Sequence, residues 1–195
     1  NKIIMKLNLG CGENKYEGFI NVDKFGNPDF KCDLEKFPWP WKDNSVDEIR
    51  LIHVLEHLGK DVDIYFNIFK ELYRICKDGT LITIFVPHFR HDFFFNDPTH
   101  VRVITPDSLL LFSKSFNKYC AKNKLSNSPL GLYLNIDFEI VSKNLKPGEA
   151  WFKLHPDENV DINAFIEEST YKNNLIEEFQ IVIKAIKKNT FESND

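Results

Sequence analysis

Three ionisable residues near the middle of the chain have a spacing that could bind a metal ion. His53, Glu56 and His57 follow the order H-x-x-E-H, which in one class of zinc peptidases places two histidines on one helical face. Here His53 directly follows an apolar run typical of a β-strand, and Gly59 is a poor residue for a helix interior. We therefore expect a strand end rather than a zinc-binding helix, and a zinc-dependent hydrolase is only the alternative function.

A glycine turn and two carboxylates form a second candidate site. The first predicted strand is followed by Gly10 and Gly12, and the next two predicted strands end near Asp23 and Asp33. In an open parallel sheet these strand ends share one crevice. Glycine lets the backbone approach a ligand closely, and a carboxylate accepts hydrogen bonds from ribose hydroxyls or an exocyclic amine. The pattern favours a nucleoside site, although the glycines could simply form a turn and the acids could be solvated strand ends.

The spacing around this turn distinguishes between nucleoside cofactors. A nicotinamide-binding turn has the pattern G-x-G-x-x-G, but Lys15 stands at the position of the third glycine. Asp23 also comes too early after the turn for that class, and the sequence contains no phosphate-binding lysine loop. A nucleoside without a diphosphate, such as S-adenosylmethionine, therefore fits better than NAD or ATP.

The elements that must position these residues are predicted to be strands and helices in alternation. An apolar stripe predicts a helix over Val62–Ile75, ended by Gly79, and Thr105 is predicted to cap a second helix over Pro106–Phe116. Strands are predicted over Ile3–Leu9, Gly18–Asp23, Asp29–Leu34, Val46–Val54, Thr80–Val86, Phe138–Leu145 and Glu178–Lys187. A helix is the alternative for the last of these, and a further helix could lie within Val160–Tyr171. The order predicts one α/β domain over residues 1–195, with a Rossmann-like, mostly parallel sheet of about seven strands flanked by helices.

Composition and charge narrow the classes of partner. The 195 residues carry a formal net charge of −4, which does not favour nucleic acid or an anionic membrane. No apolar run approaches the ~20 residues that a membrane helix needs. The four cysteines form no C-x-x-C pair, which argues against a zinc ribbon or a redox dithiol. With enough apolar residues for a core and no pattern of a secretory signal, we expect reduced thiols and a cytoplasmic location. The expected partner is a small-molecule or glycan substrate, with no nucleic acid and no membrane insertion; a homodimer is left open.

Six motifs in the first part of the chain resemble those of class I S-adenosylmethionine-dependent methyltransferases. The resemblance covers Lys6 to about Phe116. Within the family, the motifs look most like those of a small type 11-like branch associated with cell-surface glycan gene clusters. In chain order the motifs are LNLGCG, GFINVD, CDLEKFPWPWKDNSVDEI, HVLEHL, KDGTLIT and NDPTHVRVITPDSL. The resemblance implies methyl transfer to a small molecule or a sugar, and its narrowest form implies a role in surface polysaccharide biosynthesis.

The same resemblance implies roles for individual residues. Asp23 would hold the ribose hydroxyls, and Asp33 with the backbone of Leu34 would contact the adenine. His53 would close the sulfonium side of the cofactor. The glycine turn would pass under the methionine part, where the implied contacts are Leu9, Gly10 and Gly12. The interval from this turn to Asp23 is too short for the helix usual in this fold, so we expect a short loop instead.

A histidine-rich loop, HFRHDFFFNDPTHVR, follows the fifth predicted strand and should lie above the cofactor. Methyl transfer requires alignment and, for a hydroxyl acceptor, a general base, a role that suits the near-neutral pKa of histidine. We predict His91 or His100 as this base and Asp97 as the residue that orients it. The alternative is that these residues only form turns and satisfy backbone groups.

Other residues of this loop leave alternatives open. Arg90 and Arg102 could hold an anionic group of the substrate. Phe93–Phe95 could form a hydrophobic lid or, more commonly for such residues, a buried edge. We predict no metal, although a divalent ion softer than magnesium could be held by His88, His91, Asp97 and His100. A nucleoside-binding module without catalytic activity is a further alternative to an enzyme.

Overall fold

The computed structural model describes residues 4–156 and 161–187 of the chain. The strands are β1 (Lys6–Leu9), β2 (Ile20–Asp23), β3 (Phe30–Lys31), β4 (Val46–Ile52), β5 (Cys76–Pro87), β6 (Phe138–Pro147) and β7 (Ile176–Ala185). The helices are α1 (Val62–Ile75), α2 (Asp92–Asn96), α3 (Pro106–Leu110), α4 (Lys114–Lys122), α5 (Leu130–Tyr133), α6 (Glu149–Leu154) and α7 (Ile162–Tyr171). A single 3₁₀ turn over Leu55–His57 follows β4.

The strands form one sheet in the order β3-β2-β1-β4-β5-β7-β6. The neighbours from β3 to β5 are parallel, whereas β7 is antiparallel to both β5 and β6. The prediction of a Rossmann-like, mostly parallel α/β sheet is therefore confirmed. The chain leaves β1 toward β2 on one side and returns to β4 on the other, and ligands bind at such reversals in open α/β sheets.

The core forms where the central strands meet α1. Ile49, Leu51, Ile82 and Ile84 on β4 and β5 are fully buried, as expected for strands covered on both faces. Helix α1 has the predicted bounds, and the side chain of Asp61 caps it by accepting N–H groups of its first turn. No helix among residues 4–156 and 161–187 is both long enough and apolar enough to cross a bilayer.

The prediction that Gly79 ends α1 is wrong. The helix ends at Ile75, and the chain enters β5 directly at Cys76, so Gly79 lies inside that strand at φ +80°. The register between β4 and β5 shifts between Val46 and Glu48. The glycine therefore serves an irregular strand rather than a helix end, because a bulge also needs a residue that tolerates positive φ.

The predicted helix over Pro106–Phe116 is in fact two helices. Thr105 caps α3 through a capping box with Ser108, as its position before proline suggested. The helix then ends at Leu110, and Ser113 caps the new helix α4. A serine in a predicted helix interior is a capping residue here, because its hydroxyl competes for backbone N–H groups.

The remaining elements follow the predictions more loosely. β7 excludes the alternative of a helix for its residues, and α7 confirms a helix at Ile162–Tyr171. The predicted starts at Ile3 and Val160 lie outside the described residues. The short helices α2, α5 and α6 were not predicted, since each spans fewer than two turns and shows no periodic pattern.

A loop rather than a helix connects β1 to β2, as expected from the short interval. Two buried asparagines hold this loop: Asn8 donates to the side chain of Asn21 and to the carbonyl of Asn14, both at 2.9 Å. The Asn21 side chain also accepts the N–H of Tyr16 at 2.8 Å and donates to Asp29 at 2.7 Å. Because buried amides need such partners, the pair fixes the path of the loop between the glycine turn and β2.

Replacing Asn21 with alanine should lower the free energy of unfolding by about 2–4 kcal/mol, because the buried amide of Asn8 and the N–H of Tyr16 would lose their partner. Urea denaturation of the purified full chain measures this difference. The exposed Asn173→Ala substitution is the control and should change the free energy by less than about 0.5 kcal/mol. Equal effects of the two substitutions would contradict a structural role for the asparagine pair.

Candidate functional site

The candidate site lies where β1 and β4 end side by side. Just after β1, Gly10 has φ +70°, in the left-handed region that favours glycine. A Cβ atom on Gly10 would lie 2.1 Å from Cγ2 of Val54, on the segment that follows β4. The positive φ and the close packing of Val54 therefore both require a glycine at position 10, whether or not a ligand binds there.

A small cleft of about 60 Å³, which we call the Gly10 cleft, brings the glycine turn and both predicted acids together. It is lined by Gly10, Asp23, Lys24, Cys32, Asp33, Leu34, Val54 and Leu58. Burial raises the pKa of the Cys32 thiol, so this side chain adds a neutral surface beside the aliphatic ones. The cleft thus has apolar walls and carboxylates at its rim. The implied cofactor residue Leu9 is fully buried and does not line the cleft.

The Asp23 carboxylate is oriented by the backbone around it. Its Oδ2 accepts the N–H of Gly12 and its Oδ1 accepts the N–H of Phe25, each at 2.9 Å. Each oxygen keeps a further lone pair that could accept a hydroxyl of a diol. The position where a Cβ of Gly12 would lie has no heavy atom within 4 Å, so the surface beside this carboxylate is open.

Trp39 and helix α1 hold the loop that carries Asp33 and Leu34. The indole N–H of the buried Trp39 donates to the Leu34 carbonyl at 3.2 Å. The backbone N–H of Trp39 donates to Glu71 on α1 at 2.6 Å. Arg74, also on α1, donates to the Trp39 carbonyl at 3.0 Å. The helix after β4 therefore fixes the floor of the Gly10 cleft.

A second and larger space, which we call the His53 cavity, lies on the other side of the segment after β4. It measures about 430 Å³ and is lined by His53, Glu56, His57, Pro87, Phe93, Asn96, Asp97, His100 and Glu177. Val54 and Leu58 face the Gly10 cleft, whereas His53 and His57 face this cavity. The segment is therefore a wall that the two spaces share.

His53 has the least usual backbone in this wall, with φ +53° in a residue other than glycine. Its Nε2 lies 2.9 Å from a carboxylate oxygen of Glu178, and its Nδ1 lies 3.6 Å from one of Glu56. Interactions with Glu56 and then with Glu178 raise the pKa of His53, against the opposing effect of partial burial. The strained backbone thus holds an imidazole between two buried acids.

The structure places the two predicted candidates for the base differently. His100 lines the His53 cavity, whereas His91 is buried beside α2 and its Nδ1 accepts the N–H of Phe93 at 3.1 Å. Asp97 also lines the cavity, but its nearer oxygen is 4.0 Å from Nε2 of His100, too far for a hydrogen bond. Asp97 instead accepts the hydroxyl of Thr99 at 2.6 Å. The geometry favours His100 over His91 and does not favour Asp97 as its orienting partner.

His88 lies outside the cavity, in a neutral and apolar environment. Its ring stacks on Phe89 and lies against Phe179, and its Nδ1 accepts the N–H of Arg90 at 3.1 Å. Burial, followed by the charges of Arg90 and His91, lowers the pKa of His88 to about 4. Since the Nδ1 lone pairs of His88 and His91 are both used, the four-residue metal set suggested by the sequence is not assembled.

The two arginines of this loop bind backbone carbonyls. Arg90 donates to the carbonyls of Ser169 and Thr170 on α7. Arg102 donates to the carbonyl of Gly59 at 2.6 Å and lies over the ring of Tyr65. Both side chains therefore fasten the loop, and neither lines the His53 cavity.

The phenylalanines of α2 do not form a buried edge. Phe93 and Phe95 are 55% and 71% exposed, and Phe93 lines the mouth of the His53 cavity. The interpretation as a buried edge is wrong for these two residues. A single helical turn cannot bury three successive aromatic side chains on one face.

Glu178 is the site residue that sequence reasoning missed. It lies in β7, a strand placed next to β5 by a long-range antiparallel pairing, and its side chain is almost fully buried. A buried acid within an apolar strand was the only available signal, because such a residue needs a partner. The partner, His53, could not be identified without the strand order. A further cavity of about 710 Å³, between Phe89 and Phe165, is lined by none of the predicted site residues.

Solved structures with the same fold support the topology described above. An S-adenosylmethionine-dependent methyltransferase from Archaeoglobus fulgidus superposes with a TM-score of 0.61 at 22% identity, over 94% of this chain and 87% of that chain. Another from Methanosarcina mazei gives a TM-score of 0.53 at 14% identity, over 96% of this chain and 95% of that chain. No protein-family model and no curated protein sequence matches the chain.

The fold also occurs in an enzyme named for a different reaction. The [4+2]-cyclase SpnF superposes with a TM-score of 0.54 at 14% identity, over 95% of this chain and 75% of that chain. At these identities the comparisons establish the fold, and a fold alone does not determine a reaction. The function must therefore be argued from the Gly10 cleft and the His53 cavity.

His88 should remain neutral at every pH from 8 down to 5, because its pKa of about 4 lies below that range. In the unfolded chain the pKa of this histidine is about 6.5, so between pH 6.5 and 4 the unfolded state binds more protons than the folded state. The stability that neutral His88 contributes is therefore complete above pH 6.5 and is lost as the pH falls toward about 4. Imidazole nitrogen shifts in NMR spectra, assigned with a His88→Gln variant, measure the titration. A midpoint near 6.5 would contradict the buried environment.

Proposed function

We propose that the protein is an S-adenosylmethionine-dependent methyltransferase with a small polar acceptor. The observation that carries the proposal is the convergence of Gly10, Asp23 and Asp33 on one cleft at the reversal of the sheet. Ligand sites in open α/β sheets lie at this position. The fold shared with solved methyltransferases of this cofactor class supports the same proposal.

The residues of the Gly10 cleft suit an adenosine that carries no diphosphate. Asp23, already oriented by two backbone N–H groups, has lone pairs left for the two ribose hydroxyls. Asp33 would accept the exocyclic amine of adenine, and the side chains of Val54 and Leu58 would contact the faces of the base. Because the cleft holds only about 60 Å³, a nucleoside would rest on it rather than be enclosed by it.

When bound, this cofactor supplies a methyl group activated by a positively charged sulfur. The wall after β4 separates the Gly10 cleft from the His53 cavity by one short turn, so an acceptor in the cavity would lie close to a donor in the cleft. Glu56 and Glu178 place negative charge beside His53, which suits a cationic ligand nearby. The protein's contribution would be alignment, charge and removal of a proton.

For a hydroxyl acceptor, we assign the role of base to His53 rather than to His91 or His100. Glu178 lies 2.9 Å from Nε2 of His53 and would act as the positioning residue. Nδ1 would take the hydroxyl proton while the acceptor oxygen forms its bond to the methyl carbon and the carbon–sulfur bond breaks. His91 is buried away from the cavity, and Asp97 does not orient His100.

The polar lining of the His53 cavity supports a small hydrophilic acceptor such as a sugar. Six histidine or carboxylate side chains line a space of about 430 Å³, and Arg90 and Arg102 bind backbone carbonyls elsewhere. A sugar hydroxyl therefore fits the cavity better than a strongly anionic group. A role in surface polysaccharide biosynthesis rests on the resemblance of the sequence motifs.

Calorimetry with S-adenosylhomocysteine tests the cofactor site without a known acceptor. Asp23→Ala should abolish measurable binding, because the ribose hydroxyls lose two charge-assisted hydrogen bonds worth about 1.5–3 kcal/mol each. Asp63→Ala, an exposed acid on α1, is the control and should bind as the wild type does. Thermal unfolding of each variant checks the fold. Binding by Asp23→Ala at full strength, or no binding by the wild type, would contradict the proposal.

A second prediction concerns the base and uses a radiolabelled methyl donor with monosaccharides and sugar nucleotides as acceptors. His53→Gln should lower kcat by about 10²–10⁴-fold while leaving the Kd for S-adenosylhomocysteine within about threefold, because general-base catalysis contributes a factor of that size. His91→Gln is the matched control and should keep its kcat. The reverse pattern would return the role of base to His91.

A further inference from the structure

Three side chains at one end of the His53 cavity have the arrangement of a metal site. Glu56, His57 and His100 each present a ligand atom, and these atoms all lie within 4.8 Å of one another. We propose that they bind a divalent transition-metal ion. The site shares only Glu56 and His57 with the H-x-x-E-H pattern, because Nε2 of His53 is paired with Glu178.

The tautomer of neutral His57 can be deduced from its neighbours. Its Nδ1 lies 2.8 Å from the hydroxyl oxygen of Thr99, and that hydroxyl donates its only proton to Asp97 at 2.6 Å. The Thr99 oxygen must therefore accept from Nδ1–H of His57. This leaves the lone pair on Nε2, the atom free to bind a metal. Metal-binding histidines commonly donate their other N–H to an acceptor in this way.

His100 has the same tautomer for a simpler reason. Its Nδ1 lies 2.7 Å from the backbone carbonyl oxygen of Phe94, which can only accept. Nδ1 therefore carries the proton and Nε2 has a free lone pair. The rings of His57 and His100 lie edge to face with centroids 4.5 Å apart. In their neutral form, the two rings would thus present their Nε2 lone pairs in one place.

Glu56 supplies the independent sign of a missing cation. Its side chain is 1% exposed, and neither carboxylate oxygen has a hydrogen-bond partner among residues 4–156 and 161–187. The imidazole of His53 approaches it only to 3.6 Å, beyond hydrogen-bond distance. A buried carboxylate without hydrogen bonds is costly, so a positive ligand is expected to complete it. The Glu56 carbonyl accepts the N–H groups of Val101 and Arg102, which fixes this turn against the loop of His100.

The donor set indicates the kind of ion. Two imidazole nitrogens and one carboxylate suit zinc, cobalt or a similar first-row ion, whereas magnesium and calcium prefer oxygen ligands. Metal–ligand bonds of about 2.0–2.2 Å would draw the three ligand atoms closer together than 4.8 Å. The remaining coordination positions would face the His53 cavity, where an oxygen of a bound molecule could occupy one of them.

Calorimetric titration of Zn²⁺ and Co²⁺ into the full chain, first stripped with a chelator, tests the proposal. The wild type should bind one equivalent, and Mg²⁺ should not compete. His57→Gln and His100→Gln should each weaken binding by about 100-fold or more. Thr99→Val, which removes the hydroxyl between His57 and Asp97 but no metal ligand, should weaken it by about 10-fold. His155→Gln is the matched control, because that histidine pairs with Glu168 elsewhere at 2.9 Å and should leave binding unchanged.

Two spectroscopic measurements keep the test independent of protein stability and of the proposed methyl transfer. In the wild type, Zn²⁺ should shift the ring proton resonances of His57 and His100 and leave those of His155 unchanged. The Co²⁺ complex should show no thiolate charge-transfer band, since all four cysteines are outside the site. The Asp23→Ala variant should still bind metal. No metal binding by the wild type, binding that survives loss of either histidine, or a thiolate band would overturn the inference.

Discussion

The packing of Val54 against Gly10 is the contact on which the rest of the site depends. A side chain on Gly10 would begin 2.1 Å from Val54, so only bare backbone lets the segment after β4 lie directly over the end of β1. That approach sets both faces of the segment: Val54 and Leu58 toward the Gly10 cleft, and His53 and His57 toward the His53 cavity. The two spaces are separated by one short turn, and an adenosine on one side would therefore lie close to a molecule on the other.

Buried negative charge connects the proposed methyl transfer with the proposed metal site. Glu56 and Glu178 are both nearly inaccessible to water, and the imidazole of His53 lies within 4 Å of both. Gln180 and Lys146 also contact Glu178, whereas no hydrogen bond reaches the Glu56 carboxylate within residues 4–156 and 161–187, so the region around Glu56 favours a ligand that brings positive charge. A sulfonium beside His53 and a metal ion between Glu56 and His57 would each bring positive charge close to these carboxylates. The charge of the cavity therefore says more than its shape about which ligands it favours.

Features that depend on local sequence patterns were predicted correctly, whereas features that depend on long-range strand pairing were missed. The bounds of α1, the loop in place of a helix after β1 and the meeting of Asp23 with the glycine turn all follow from periodicity or from strand ends. The bulge at Gly79 could not be predicted, because a glycine with positive φ serves a helix end and an irregular strand equally well. Glu178 was missed for a different reason, since its role depends on which strand lies beside β5. The histidine-rich loop was the least predictable part, because each imidazole could satisfy a backbone group or face the cavity.

The position of β7 has a consequence for the order in which the molecule is built. β7 comes last in the chain among the described strands, yet it lies between β5 and β6 and pairs with both along most of its length. Until it is inserted, the growing polypeptide leaves two strand edges unpaired, which are sites for association with other chains. Glu178 reaches His53 only at this step. A chain in which β7 has not yet paired with β5 would thus hold the residues of the Gly10 cleft while His53 still lacked Glu178.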